Sequence, residues 1–246
     1  MTTQEICSVT ELIELVAART AEPGTEFWYR GHRRSDWSLL PSVFRTKALK
    51  RSESAMMARF QQEAALSGLP YNFDDWGWMT FAQHYGLPTR LLDWSQSPLI
   101  AAFFACEEET EPGGETVGEF FMLDPKALNK EAGSNDGGHP ALLRSTDTLL
   151  GNYLPDGKAS LRPRAVLAPL VFERIRWQTG TFTICQPPDP EELEPLRTSI
   201  AVQSFLIPPE AKRTFRLELE SLGLNEASIY KDLDRIAARI VRNSTR

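Results

Sequence analysis

Residues 89–105 read TRLLDWSQSPLIAAFFA. The first six residues, rich in Leu and Trp, read as an extended segment. Ser97 then supplies a hydroxyl of the kind that caps a helix start. Pro98 follows at the first helical position, where its missing N–H is harmless. The helix that opens there, PLIAAFFA, is apolar almost all round, so it has to be buried on several sides. A strand running into a buried, capped helix sets the expectation of a mixed α and β core.

Working outward, FDDWGWMTFAQHYG (73–86) reads as a helix ended by Gly86 and Pro88. SESAMMARFQQEAALSG (52–68) reads as another, with Met57, Phe60 and Ala64 on one face. RRSDWSLLPSVFR (33–45) is a loop or short helical turn, and EFWYRG (26–31) is a strand. SVTEL (8–12) has the form of a capping box and predicts a helix over about 10–20, with Leu12, Leu15 and Val16 buried. Downstream, GEFFMLD is a strand and PKALNKE a short helix. The turn-forming residues 132–140 predict an exposed loop, and 140–165 carry no clear pattern. RAVLAPLVF (164–172), GTFTICQ (180–186) and TSIAVQSFLIP (198–208) are strands. QPPDPEELEP (186–195) is a surface excursion, and helices follow in 209–224 and 226–244. The order of elements predicts one α+β domain, with helices packed on a mixed, mostly antiparallel sheet. Residues 1–24 form an N-terminal helix ahead of the main domain, 25–246.

Composition narrows the function. The chain has 27 basic and 33 acidic residues, a net charge of -6, which is not that of a general polyanion binder. No apolar run of about 18 residues spans a membrane, and the N-terminus lacks a signal-peptide pattern, so the expected location is cytoplasmic. Cys7, Cys106 and Cys185 are widely separated and fit neither a metal site nor a disulfide framework. No Gly-x-Ser-x-Gly or P-loop run occurs, and the histidines are His32, His84 and His139 alone. Serine hydrolases, P-loop ATPases and His/Cys metal hydrolases are therefore disfavoured, and no metal is expected.

Three stretches concentrate chemistry. In EFWYRG, Arg30 stands at a strand end beside Gly31. The guanidinium is a planar fork suited to phosphate or carboxylate, and glycine admits a close approach by a ligand or another backbone. The alternative for Arg30 is a structural salt bridge. The second stretch gathers Gln83, His84, Tyr85, Thr89, Arg90, Asp93, Trp94 and Ser95 ahead of the buried helix. Polar groups so placed need partners or a cavity, and Asp93 between Leu92 and Trp94 is poorly placed for simple exposure. The alternatives are His84 bonding a helix end, Arg90 pairing with Asp93, and Trp94 in the core. In the third, ERIRWQTGTF (173–182), Arg174 and Gln178 are four apart and face one way if the segment is a helical turn; the alternative is a turn with exposed polar residues. Arg33, Arg34, Arg144, Arg162 and Arg164 would form a local basic rim.

WYRG (28–31), SLLPSVFR (38–45), AQHYGLPTRLLDWSQSPLIAAFFA (82–105), RIRWQTGTF (174–182) and SIYKDLD (228–234) together resemble the FRG domain family. Lys231 stands where that family usually has proline. More distantly, the chain resembles toxin-like ADP-ribosyltransferases, which implies an ADP-ribosyltransferase-like core and NAD as substrate. On that resemblance Arg30, with Gly31, holds the NAD diphosphate with help from Arg90. Thr89 or Ser95 takes the polar role on the second element, and Tyr85 or Trp94 stacks on a ring beside His84. Asp93 stabilises the cation formed at the ribose or activates the acceptor, and Gln178 orients ribose or acceptor. The Glu-x-Glu or Gln-x-Glu of those enzymes is absent from 174–184; Gln178 is the nearest candidate, and Glu173 and Asp93 are the nearest acids. The implied role is a toxin or anti-phage defence effector. Its acceptor would be a nucleic acid or nucleotide, and an antitoxin or accessory protein would be its partner. The rival reading is a non-catalytic module that binds a nucleotide, a nucleic acid or a partner.

Overall fold

Ser8 accepts a hydrogen bond from Glu11 N and starts helix α1, Val9–Arg19. Glu11 Oε2 answers by accepting from Cys7 N at 2.7 Å, one residue earlier than the usual reciprocal bond. This computed structural model describes residues 4–22, 24–66, 72–108, 116–134, 137–144, 147–157, 161–168, 181–189 and 191–230. After α1 come β1 (Trp28–His32), a 3-10 turn (Ser42–Phe44), α2 (Lys47–Ala65), α3 (Asp75–His84), β2 (Leu91–Trp94) and α4 (Pro98–Ala105). Then follow β3 (Gly118–Leu123), α5 (Pro125–Glu131), β4 (Ala141–Leu142), α6 (Thr148–Gly151), β5 (Arg164–Leu167) and β6 (Thr181–Ile184). The last described elements are β7 (Val202–Ile207), α7 (Pro209–Ser221) and α8 (Glu226–Tyr230).

The α+β expectation holds, with the strands shared between two sheets in two compact units. The first unit comprises Met1–Trp37, Ser97–Met122 and Gln203–Arg246; the second comprises Ser38–Gln96 and Leu123–Val202.

The first unit is built on a three-stranded sheet of order β1-β3-β7. Backbone bonds between Ile6 N and Leu206 O, and between Leu206 N and Gln4 O, add the chain before α1 to the β7 edge. Leu12, Tyr29, Phe120, Phe205 and Phe215 share one buried cluster with Ala101 and Ala102 of α4. Leu15 and Val16 pack on its margin. The first amide of α1, Val9 N, donates to Glu218 Oε2 of α7 at 2.8 Å, a carboxylate at the positive end of a helix. α4 has the predicted start, Ser97 Oγ accepting from Ile100 N, and the predicted burial of Ala101, Ala102, Phe103 and Ala105.

Two glycines seat α4. A Cβ on Gly31 of β1 would lie 1.9 Å from Ala101 O and 2.6 Å from Ala105 N. A Cβ on Gly118 of β3 would lie 2.5 Å from Ala105 O. Helix backbone therefore rests almost directly on strand backbone, and small residues on both sides make that possible.

The second unit holds a four-stranded mixed sheet of order β2-β6-β5-β4. β2 pairs antiparallel with β6 (Asp93 opposite Phe182), β6 pairs antiparallel with β5, and β4 runs parallel to β5. Trp76, Met79, Leu91, Tyr153, Val166, Phe182 and Ile184 form its core. Asn129 of α5 donates to Ala165 O and accepts from Ala165 N, which fastens α5 to β5. α2 begins several residues before the expected start because Thr46, unrecognised as a cap, accepts from Leu49 N. α8 opens the expected final helix, whose continuation lies outside the described residues.

Candidate functional site

In the first unit, period-2 alternation along β1 sorts the residues of WYRGH. Tyr29 and Gly31 face α4 and the core, which puts Arg30 and His32 on the opposite face. Arg30 is half-buried, and its Nε donates to His32 Nε2 at 3.0 Å. An Nε2 that accepts carries a lone pair, so the neutral His32 ring bears its proton on Nδ1. The ring itself is 2 % exposed and meets Phe121 edge-on at 5.0 Å. Arg33 lies over the Trp37 ring at 5.3 Å and donates to Glu108 O. Arg34 is paired with Asp36 at 2.8 Å. Gly31 is thus a packing glycine: the close approach it permits is that of α4, and the expectation that it faces a cofactor is corrected.

In the second unit, α3 ends at His84, with Gly86 in the left-handed region at φ +81° turning the chain toward β2. Gln83, on the last turn of α3, bridges two residues further along the chain. Its Oε1 accepts from Thr89 Oγ1 at 2.5 Å, and its Nε2 donates to Asp93 Oδ2 at 2.6 Å. Thr89 is buried, and its Oγ1 also accepts from Leu91 N. A buried hydroxyl thus orients an amide, and the amide orients a carboxylate. Asp93 is exposed, contrary to expectation, although Leu91, Leu92 and Trp94 around it are buried. Beside this relay His84 is half-buried, and Tyr85 is 64 % exposed with its ring edge-on to His84 and Phe81.

Two other expected site residues belong to the interior. Arg90 is 3 % exposed and forms a two-pronged pair with Glu53: Nε to Oε1 at 2.6 Å, and Nη2 to Oε2. Its Nη1 donates to Tyr153 O, and the guanidinium lies over the Phe44 ring. Neither a diphosphate role nor a pair with Asp93 fits that environment. Trp94 is buried, donates from Nε1 to Thr183 Oγ1 at 3.0 Å and accepts at its carbonyl from Thr181 Oγ1. It is a core residue and not a stacking platform. Burial pushes the Cys185 thiol up to about 12, with the nearby Arg90 charge opposing the rise, and pushes the Tyr153 phenol up to about 12. Gln178, with Glu173 and Arg174, lies outside the described residues. Of the expected basic rim, Arg144 and Arg162 are exposed and Arg164 is buried.

Sequence reasoning missed Glu53. Its signal was an acid at positions i, i+4, i+7 with Met57 and Phe60, inside the apolar stripe of α2. His32 was equally legible in hindsight, two residues from Arg30 on one strand face. Among the described residues no His, Cys, Asp and Glu cluster could hold a metal, and no helix is long and apolar enough to cross a membrane.

No curated protein and no solved structure matches the chain. Its β1 strand, α2–α4 and the whole Thr89–Gln83–Asp93 relay fall within one matched stretch: the family model of the FRG domain matches residues 25–113.

Proposed function

We propose that this chain is an NAD-dependent ADP-ribosyltransferase-like effector in which Asp93 is the carboxylate that stabilises the reacting sugar. The observation that supports this reading is the Thr89–Gln83–Asp93 relay, which holds an exposed carboxylate at a fixed angle. The chemistry breaks the bond between ribose C1′ and the nicotinamide nitrogen. Nicotinamide leaves with the electron pair, and C1′ becomes an oxocarbenium-like cation beside the carboxylate. A nucleophile on a nucleic acid or nucleotide then bonds to C1′ and gives up its proton. Exposed Tyr85 offers a ring face for a base or nicotinamide.

Incubating the protein with labelled NAD and RNA, DNA or mononucleotides should release nicotinamide and add one ADP-ribose mass to an acceptor. Asp93→Asn should lower that rate about 10²–10³-fold without unfolding the protein. Equal turnover by wild type and Asp93→Asn, or no nicotinamide release with any acceptor, refutes the transferase. A second reading, a non-catalytic module binding a nucleotide, nucleic acid or partner protein, is favoured by one observation. Arg90, Thr89 and Trp94 are all engaged in packing, which leaves less open chemistry than an enzyme of that class uses. Thermal stabilisation by NAD without nicotinamide release supports that reading.

A further inference from the structure

A second site lies in the same unit and shares no residue with the relay. Arg164, the first residue of β5, is 8 % exposed. Among the described residues its polar partners are all neutral groups: Nη1 donates to Ser134 Oγ, Nη2 donates to Ala132 O at 2.6 Å, and the Tyr153 phenol lies against the guanidinium. Its buried Nε has no hydrogen-bond acceptor. The comparison with Arg90 is direct. There the same fold buries an arginine and supplies Glu53 to balance it. A guanidinium held away from water with no anion is a costly arrangement, and structural arginines are normally paired. The unbalanced charge lines a cleft of about 530 Å³, within the usual size of small-molecule sites.

The other walls narrow the ligand. Leu149, Leu150 and Val166 give the cleft an apolar side, and exposed His139 stands at its rim. Asp147 also lines it. One of its oxygens, Oδ1, accepts from both Leu149 N and Leu150 N at the start of α6. That helix end offsets part of its charge. A second carboxylate oxygen remains as an acceptor suited to hydroxyl groups.

We propose that this cleft binds a small organic phosphate bearing hydroxyl groups, of sugar-phosphate size, whose phosphate supplies the counter-charge to Arg164. The guanidinium fork suits a phosphate oxygen pair, and the Asp147 carboxylate accepts from sugar hydroxyls.

The test uses the full chain with ribose 5-phosphate, ribose and inorganic phosphate, read by calorimetry and thermal shift. Ribose 5-phosphate should bind and stabilise the wild type, ribose should be silent, and inorganic phosphate should bind more weakly. Arg164→Met should weaken ribose 5-phosphate about tenfold or more, because a charge-assisted pair is lost. Its own melting temperature should hold or rise, because the unbalanced charge has gone. Arg164→Lys should keep part of the affinity and serves if the Met variant does not fold. Equal binding by wild type and both variants overturns the proposal. So does silence of ribose 5-phosphate with the wild type, or equal affinity for inorganic phosphate.

Discussion

Replacing Gly31 by alanine tests the reading that α4 rests on strand backbone. The new methyl would start 1.9 Å from Ala101 O and 2.6 Å from Ala105 N, where ordinary contact begins at 3.4 Å. Both obstacles are main chain, so no side chain can swing aside. α4 would have to withdraw by about 1.5 Å, prising Ala101 and Ala102 from Tyr29 and Phe120. Overpacking a well-packed core typically costs about 1–3 kcal/mol, and a backbone-on-backbone clash belongs at or above the upper end. For a chain of this size, about 3 kcal/mol corresponds to a fall of about 6–12 °C in melting temperature. The assay is thermal unfolding followed by circular dichroism, with Gly151→Ala as control. Gly151 ends α6 with nothing within 4 Å of its would-be Cβ, so alanine there should be neutral or mildly stabilising. A Gly31→Ala melting temperature within about 1 °C of wild type would refute the close-approach argument.

Glu53→Gln should destabilise the protein by about 3–5 kcal/mol in urea unfolding, because Arg90 is left as a buried, unpaired cation. Replacing both residues by methionine should recover more than half of that loss; a double variant no better than the single one contradicts the charge argument. Alkaline pH should also destabilise the protein. Tyr153 and Cys185 are pushed up to about 12 from ordinary values of 10.0 and 9.0, so the folded state keeps protons that the unfolded chain releases. Their contribution is complete below about pH 9 and is lost as pH climbs toward 12. Denaturant titrations from about pH 8 upward should show this fall, and Cys185→Ala should make it shallower by up to one proton. An unchanged slope in that variant would contradict the burial assigned to the thiol.

Local signals were legible in the sequence wherever the physics is local. Ser8, Ser97 and Pro98 act within one helical turn, and each marks its helix start within a residue or two. The strands at 118–123 and 202–207 announce themselves by composition alone. What stayed hidden depends on partners far along the chain. Gly31 reads equally as a ligand site or a packing site until Ala101, 70 residues on, is seen against it. Arg90 reads as a candidate phosphate ligand until Glu53, 37 residues earlier, is found beneath it. Asp93 shows the limit of pattern reading in a short strand. Three of its four positions are buried, so alternation gives no warning that the fourth is open.

The partition of the polypeptide between the two units has a bearing on biosynthesis. The chain changes unit after Trp37, Gln96, Met122 and Val202. The first unit therefore cannot complete its sheet until β7 has left the ribosome, after the whole second unit has been made. Residues 25–113, the segment recognised by family, contain β1 and β2 but none of the strands those two pair with in the sheets. Expressed alone, that segment would expose unsatisfied strand edges, a liability for aggregation. Any fragment meant to keep this architecture has to run from the N-terminal helix to beyond α7.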